Sequence, residues 1–136
     1  MIIGTLLFLL LAGAADDVVL IPAKDVEAKL KTPPARLMQG GNYTVMTMRR
    51  TGPGQAELHD KDMDVIYVID GAATIITGGT MPDVKTTEPG EKRSASIKDG
   101  KSQHIAKGDV LTIAKGVPHW FSAVEGSVTY FVVKVR

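Results

Sequence analysis

The 136-residue sequence has no cysteine, and that one absence removes disulfide frameworks, thiol nucleophiles and zinc–thiolate centres together. It fixes no compartment, because a chain with a good core can be exported without disulfides. Any metal site must therefore be built from His, Asp and Glu. Histidine is scarce, with only His59, His104 and His119 present. An excess of one charge is also lacking: 16 basic and 15 acidic residues leave a formal net charge of +1. With no charged block, and no interleaving of Arg with aromatic residues, nucleic acid and charged membrane surfaces are not expected partners. A glycine-rich nucleotide loop, a serine elbow with a suitable triad and a helix-borne metalloprotease motif are missing too.

No apolar run reaches the roughly 20 residues of a bilayer span. Ile2 to Ala12 is shorter, and is followed by Gly13-Ala14-Ala15 and then Asp16-Asp17. It has the length of a signal-peptide core, and its small residues stand where a signal peptidase reads. Residues 1–15 are therefore expected to be a signal peptide cleaved after Ala14 or Ala15, although Lys and Arg are absent ahead of the run. The mature protein, 16–136, is then exported, periplasmic or secreted, with no membrane attachment after cleavage.

What remains suits one domain with its own core, at 44% hydrophobic residues. Val18 to Ile21 reads as a short strand. Ala23 to Leu30 reads as the one helix, with Val26 and Leu30 on one face and Thr32-Pro33-Pro34 ending it. From Arg36 onward the pattern is β. Tyr43 to Arg50 alternates, with Val45 and Thr47 on one face and Met46 and Met48 on the other. Val65 to Ile69 and Ala73 to Thr77 flank Asp70-Gly71, the signature of a hairpin. Val110 to Ile113 follows the Gly108-Asp109 turn, and Ser127 to Val135 closes the chain as a β-branched strand. Short strands punctuated by Gly and Pro imply a sandwich or barrel. The polar stretch 81–103 reads as an inserted loop over one end of it, with at most a hairpin around Lys98-Asp99-Gly100.

Two clusters carry chemistry. Glu57 and His59 are two apart, so a strand points both to one face. Asp64 starts the next strand and shares its face with Ile66 and Val68. A carboxylate heading an apolar row is costly without a partner, and a metal ion would supply one. In the second cluster, GDVLTIAKGVPHWF from Gly108 to Phe121, His119 and Phe121 share a face and Trp120 takes the other.

Together the clusters resemble the two motifs of the cupin superfamily. The first motif has the form H-x-H, three or four residues, E, six residues, G. Here Glu57 and His59 occupy the histidine places, Asp64 the glutamate place, and Gly71 the glycine place. The shorter register would put Leu58 and Asp60 at the histidine places and make no site. The second motif has the form G, five residues, P-x-G, two residues, H, three residues, N. Gly108, Gly116 and His119 match it, while Ala114 replaces the proline and Ala123 the asparagine.

From about Thr44 to the C-terminus, this resemblance implies an all-β, double-stranded β-helix of six to eight strands, a cupin or jelly-roll barrel preceded by one short helix. It implies one divalent metal ion in the lumen, held by Glu57, His59, Asp64 and His119. Two imidazoles and two carboxylates suit Mn²⁺, Fe²⁺ or Zn²⁺, with Ni²⁺ possible, and disfavour soft ions. Met46, Met48 and Phe121 would line the substrate pocket, although plain core is the commoner use of such residues. Arg49 and Arg50 read as solvated, the alternative being that one of them binds a carboxylate or phosphate on the substrate, and His104 reads as structural or surface. Trp120 and Tyr67 face outward, where barrels of this kind pair as homodimers. The expected function is a metal-dependent enzyme, a dioxygenase, lyase or isomerase, acting on a small oxygen-rich molecule. A non-catalytic cupin binding a sugar or organic acid, and a metal-free isomerase using His59 or His119 as base, are the alternatives.

Overall fold

The computed structural model describes residues 18–136; the expected signal peptide lies outside the described residues. Val18 to Ile21 forms no strand. Val18 and Leu20 are strongly exposed there, and among the described residues no strand pairs with this stretch. Helix α1 (Ala23–Leu30) has the expected bounds. It lies beside β1 (Ala35–Gln39) and β2 (Tyr43–Arg50), where buried Thr47 faces the Lys29 and Ala35 carbonyls.

Two long strands organise the rest. β4 (Met63–Thr77) and β9 (His119–Val135) form one antiparallel ladder from Met63–Val135 to Thr77–His119. The C-terminal part of β9 pairs on its other side with β2, and the N-terminal part of β4 with β8 (Val110–Ile113). The opposite ends pair with β3 (Ala56–His59) and β7 (Lys101–Ala106). β3 continues to β6 (Glu91–Ser94), which pairs with β5 (Lys85–Glu88). The two halves share β4 and β9 and face each other across the core: this is the double-stranded β-helix. It has nine strands among the described residues, more than the six to eight that the resemblance implies.

Asp70-Gly71 does not make a hairpin. The chain continues through it as one strand, with register shifts on both sides. The shifts change which residues face inward. Asp64, Ile66 and Val68 are buried before the bend, and Ala73 and Ile75 after it. β9 changes parity in the same way, from His119 and Phe121 to Val124, Val128, Tyr130 and Val132, at the register shift that leaves Ser122 unpaired. An extra residue in one strand does this, because side chains alternate with period two. Gly71 sits at φ +81°, and a Cβ there would run into the Ser127 carbonyl. Local sequence cannot separate a bend of this kind from a turn.

The stretch 81–103 is part of the sheet and not a loop laid over it. Its hairpin turns at Pro89-Gly90, between β5 and β6, and Thr80 bridges Lys98. Trp120 is half-buried, not a free outer face. It packs on a second small core of Ala56, Met81 and Ile97, and its indole N–H donates to the Gly54 carbonyl at 2.7 Å. Tyr67 is 47% exposed, as expected.

Because both the left-handed backbone and the approach of Ser127 demand glycine, Gly71→Ala should destabilise the fold by about 2–4 kcal/mol. Gly41→Ala, into open space, should stay within about 0.5 kcal/mol. Urea denaturation of the two variants checks this; equal stabilities would mean the bend does not require Gly71.

Candidate functional site

The site is assembled from residues that face each other across neighbouring strands. Glu57 on β3 is paired with His119 on β9 and with Arg93 on β6. His59 is paired with Glu91 on β6, and Asp64 on β4 with Lys134 on β9. Such pairs hold their Cβ atoms roughly 5 Å apart, so the ladders bring the charged groups together with little freedom. They line a cavity of about 340 Å³ whose other wall is apolar and includes Met46, Met48, Ile66 and Phe121.

Glu57, His59, Asp64 and His119 all meet there. Glu57, His59 and His119 each offer a donor atom within 4.8 Å of the others. Asp64 lies 3.5 Å from His59 Nε2 and 3.8 Å from His119 Nε2. Both imidazoles are oriented from behind. His59 Nδ1 donates to Glu91 at 2.6 Å and His119 Nδ1 to the Val117 carbonyl at 3.1 Å, so each ring turns its Nε2 lone pair to the cavity. His119 Nε2 is buried and, among the described residues, has no hydrogen-bond partner. Its nearest carboxylate oxygen, from Glu57, is at 3.7 Å, beyond a hydrogen bond.

Four further residues belong to the site and are not apparent from the motifs. Glu91 orients His59. Arg93 lies 3.1 Å from Glu91 and 3.7 Å from Glu57. Lys134 donates to both Asp64 oxygens, at 2.9 and 3.2 Å, and lies 3.0 Å from His59 Nε2. Arg50, expected in solvent, turns inward: its Nε donates to the Tyr130 hydroxyl at 3.0 Å, and its guanidinium lies over the Phe121 ring at 4.8 Å. Phe121 in turn stacks on Tyr130, with centroids 5.2 Å apart. Lys134 was within reach of sequence reasoning, because the inward row Val128, Tyr130, Val132 continues to it. Arg49 is exposed. His104 lies on the surface with Glu125 at 3.2 Å.

Burial alone would push the Glu57 carboxyl up. The facing His119 and the Arg93 and Arg50 guanidiniums outweigh it and hold the group down at about 2. Burial also opposes ionisation of Asp64, but His59 and the Lys134 ammonium keep its carboxyl below the usual range. For His59, burial disfavours the cation, yet Asp64 and Glu91 prevail over Lys134 and raise its proton affinity. Burial raises the Tyr130 phenol, with Arg50 acting against it, so the phenol stays protonated at neutral pH.

A carboxyl held below its unfolded value stabilises the fold above that value, and the contribution is lost as pH falls towards the folded one. In chelator-treated protein, Glu57 should contribute on the order of 2 kcal/mol at pH 7, discounted for its partial exposure. The loss should run from about pH 4.5 down to about 2. Glu57→Gln should therefore be less stable at pH 7 and show a shallower decline over that window in thermal melts. Parallel pH profiles for the two proteins would remove Glu57 from the ion-pair network.

Comparison with known proteins gives the family. A model described as cupin matches residues 29–136. No curated protein matches the chain. Among solved structures, a protein of Bacillus halodurans aligns with TM-score 0.59 at 14% identity, over 91% of this chain and 83% of that one. Hydroquinone 1,2-dioxygenase of Sphingomonas sp. TTNP3, with 4-hydroxybenzoate bound, aligns with TM-score 0.54 at 12% identity, over 72% of this chain and 62% of its own. DMSP lyase DddQ of Ruegeria pomeroyi aligns with TM-score 0.53 at 12% identity, over 75% of this chain and 45% of its own. At these identities the likeness is one of fold, and this chain is shorter than both enzymes. The family match covers most of the sequence and every residue of the site just described: the chain belongs to the cupin family.

Proposed function

We propose that this cupin holds one divalent ion, Mn, Fe or Zn with Ni possible, between Glu57, His59, Asp64 and His119. On this reading it is an enzyme, a dioxygenase, lyase or isomerase, acting on a small oxygen-rich molecule. The observation that carries the reading is His119 Nε2, a buried acceptor with no partner. Leaving such a group unpaired costs free energy, and an ion shared with His59 and Glu57 would satisfy it. The donor set is nitrogen and oxygen without sulfur, which suits those metals.

An ion bound there would supply Lewis acidity and open coordination positions for a ligand. The surrounding residues have separable tasks. Glu91 and the Val117 carbonyl hold the two imidazoles in the tautomer that presents Nε2. Met46, Met48 and Phe121 form the apolar wall against which a substrate would lie. The dioxygenase and the lyase among the similar structures lend support to the reaction classes named, and to no particular substrate. The same reading has the chain exported after loss of residues 1–15 and working as a homodimer. Exposed Tyr67 and Val110, paired across β4 and β8, offer that dimer an apolar surface.

A second reading draws on Lys134, whose ammonium already satisfies Asp64 and His59. In it the protein is a metal-free module that binds a small acid or sugar.

Elemental analysis of the purified protein beside His119→Ala separates the two. The expected result is about one equivalent of metal per chain, lost in a variant whose circular dichroism is unchanged. Protein that carries no metal, and takes up none of the four when they are added, would overturn the first reading in favour of the second. Where metal is bound, oxygen uptake or turnover with small hydroxy acids, diketones and sugars distinguishes an enzyme from a binder.

A further inference from the structure

His59 turns a single acceptor towards the cavity. Its Nδ1–H is committed to Glu91, which leaves the Nε2 lone pair, and the Lys134 ammonium lies 3.0 Å from it. The same ammonium donates to both oxygens of Asp64. An imidazole nitrogen has one lone pair in the ring plane, which can accept an ammonium proton or coordinate an ion but not both. We propose that Lys134 is an internal cation that holds part of the donor set in the metal-free protein, and that a divalent ion must displace it in order to bind. Lys134 thereby sets the affinity of the site. This rests on the metal-binding reading above.

Three features support it. Lys134 is not a stray surface side chain: the β4–β9 register places it directly opposite Asp64, so its ammonium returns to the same carboxylate. Its cover is incomplete, because His119 Nε2 remains without a partner; the ammonium satisfies two of the four donors and an ion would satisfy more. It also has somewhere to go. Lys134 lines a second cavity of about 450 Å³ beside the first, together with Tyr43, Thr44 and Asp62 and with Arg36 and Arg136, the last lying 3.2 Å from Asp62. Its side chain is 27% exposed where that of Asp64 is 6%. An entering ion must replace charge-assisted hydrogen bonds and not merely water, so part of its binding free energy is spent on releasing the lysine.

The test is titration of chelator-stripped protein with Zn²⁺ alone, in competition with a metal-sensitive dye. Wild type, Lys134→Met and Arg93→Met are compared. Lys134→Met should bind Zn²⁺ roughly tenfold tighter or more, the scale of one charge-assisted hydrogen bond. Arg93→Met removes the same charge beside the carboxylates but no contact with a histidine nitrogen, and should change the affinity several-fold less. Equal tightening in both variants would mean that only the local field had changed, and would overturn the proposal. Equal affinity of wild type and Lys134→Met would overturn it while leaving the metal site standing. Failure of all three to bind Zn²⁺ would overturn the metal reading along with it. Should Lys134→Met not fold, the wild type still decides the question. The ¹⁵N resonance of the Lys134 ammonium, assigned with Lys134→Arg, should shift when one equivalent of Zn²⁺ is bound; an unmoved resonance contradicts displacement.

Discussion

The antiparallel ladder between β4 and β9 is the constraint on which the molecule depends. It runs the length of both strands, from Met63–Val135 to Thr77–His119, and belongs to both halves of the fold. Each strand changes its inward-facing parity once, beside Gly71 in β4 and at Ser122 in β9. Without the change, one half of each strand would turn its polar face to the core, since a one-residue slip moves every side chain to the opposite face. With it, Asp64 and Lys134 point inward at one end of the ladder and His119 does so at the other, and β3 delivers Glu57 and His59 to the space between. The site is therefore a consequence of register more than of any loop, and elements built on strands hold side chains with more precision than loops do.

That origin explains why the polar cluster is tolerated in an apolar barrel. Nearly every charged group in it stands beside an opposite charge on the neighbouring strand: Glu57 with Arg93, Asp64 with Lys134, His59 with Glu91. Buried ion pairs bring little net stability, because desolvation consumes the attraction, but breaking one leaves an uncompensated charge. The arrangement is thus fixed without being a large source of folding free energy. That comes from the apolar cluster of Ile66, Val68, Ile75, Val128 and their neighbours. His119 Nε2, left over from this pairing, stands out for that reason.

Much of this was legible in the sequence, for definite reasons. The bounds of α1, β2 and β8 followed from periodicity and from Pro and Gly at their ends. Glu57 and His59, and His119 with Phe121, share faces because strand alternation is strict. What stayed hidden was non-local. Asp70-Gly71 has the composition of a hairpin, and only the partner strand shows whether the chain turns back or bends. The stretch 81–103 is polar because β5 is exposed along its length, yet β6 pairs with β3 and brings Glu91 and Arg93 into the site. Arg50 resembled a surface residue until Tyr130 and Phe121, some 80 and 70 positions away, were seen to receive it.

The balance of charge in the cavity ties these features together. Among the groups that pair with one another, Glu57, Asp64 and Glu91 are offset by Arg50, Arg93 and Lys134, so with neutral imidazoles these six carry no net charge before any ion arrives, and Glu88, which also lines the cavity, is exposed. A barrel with this balance can fold without metal, unlike small domains whose ligands repel one another until an ion neutralises them. The same balance disfavours a divalent ion if every cation stays in place, since two uncompensated positive charges would then sit in a partly desolvated space. Moving one lysine towards solvent removes half of that excess, and an anionic ligand on the ion could remove the rest. Of the three cations, Arg50 is held by Tyr130 and Phe121, and Arg93 donates to the Lys92 carbonyl as well as to Glu91. Among the described residues Lys134 is tied only through the donors that an ion would claim, so it is the cation that the site can release at least cost.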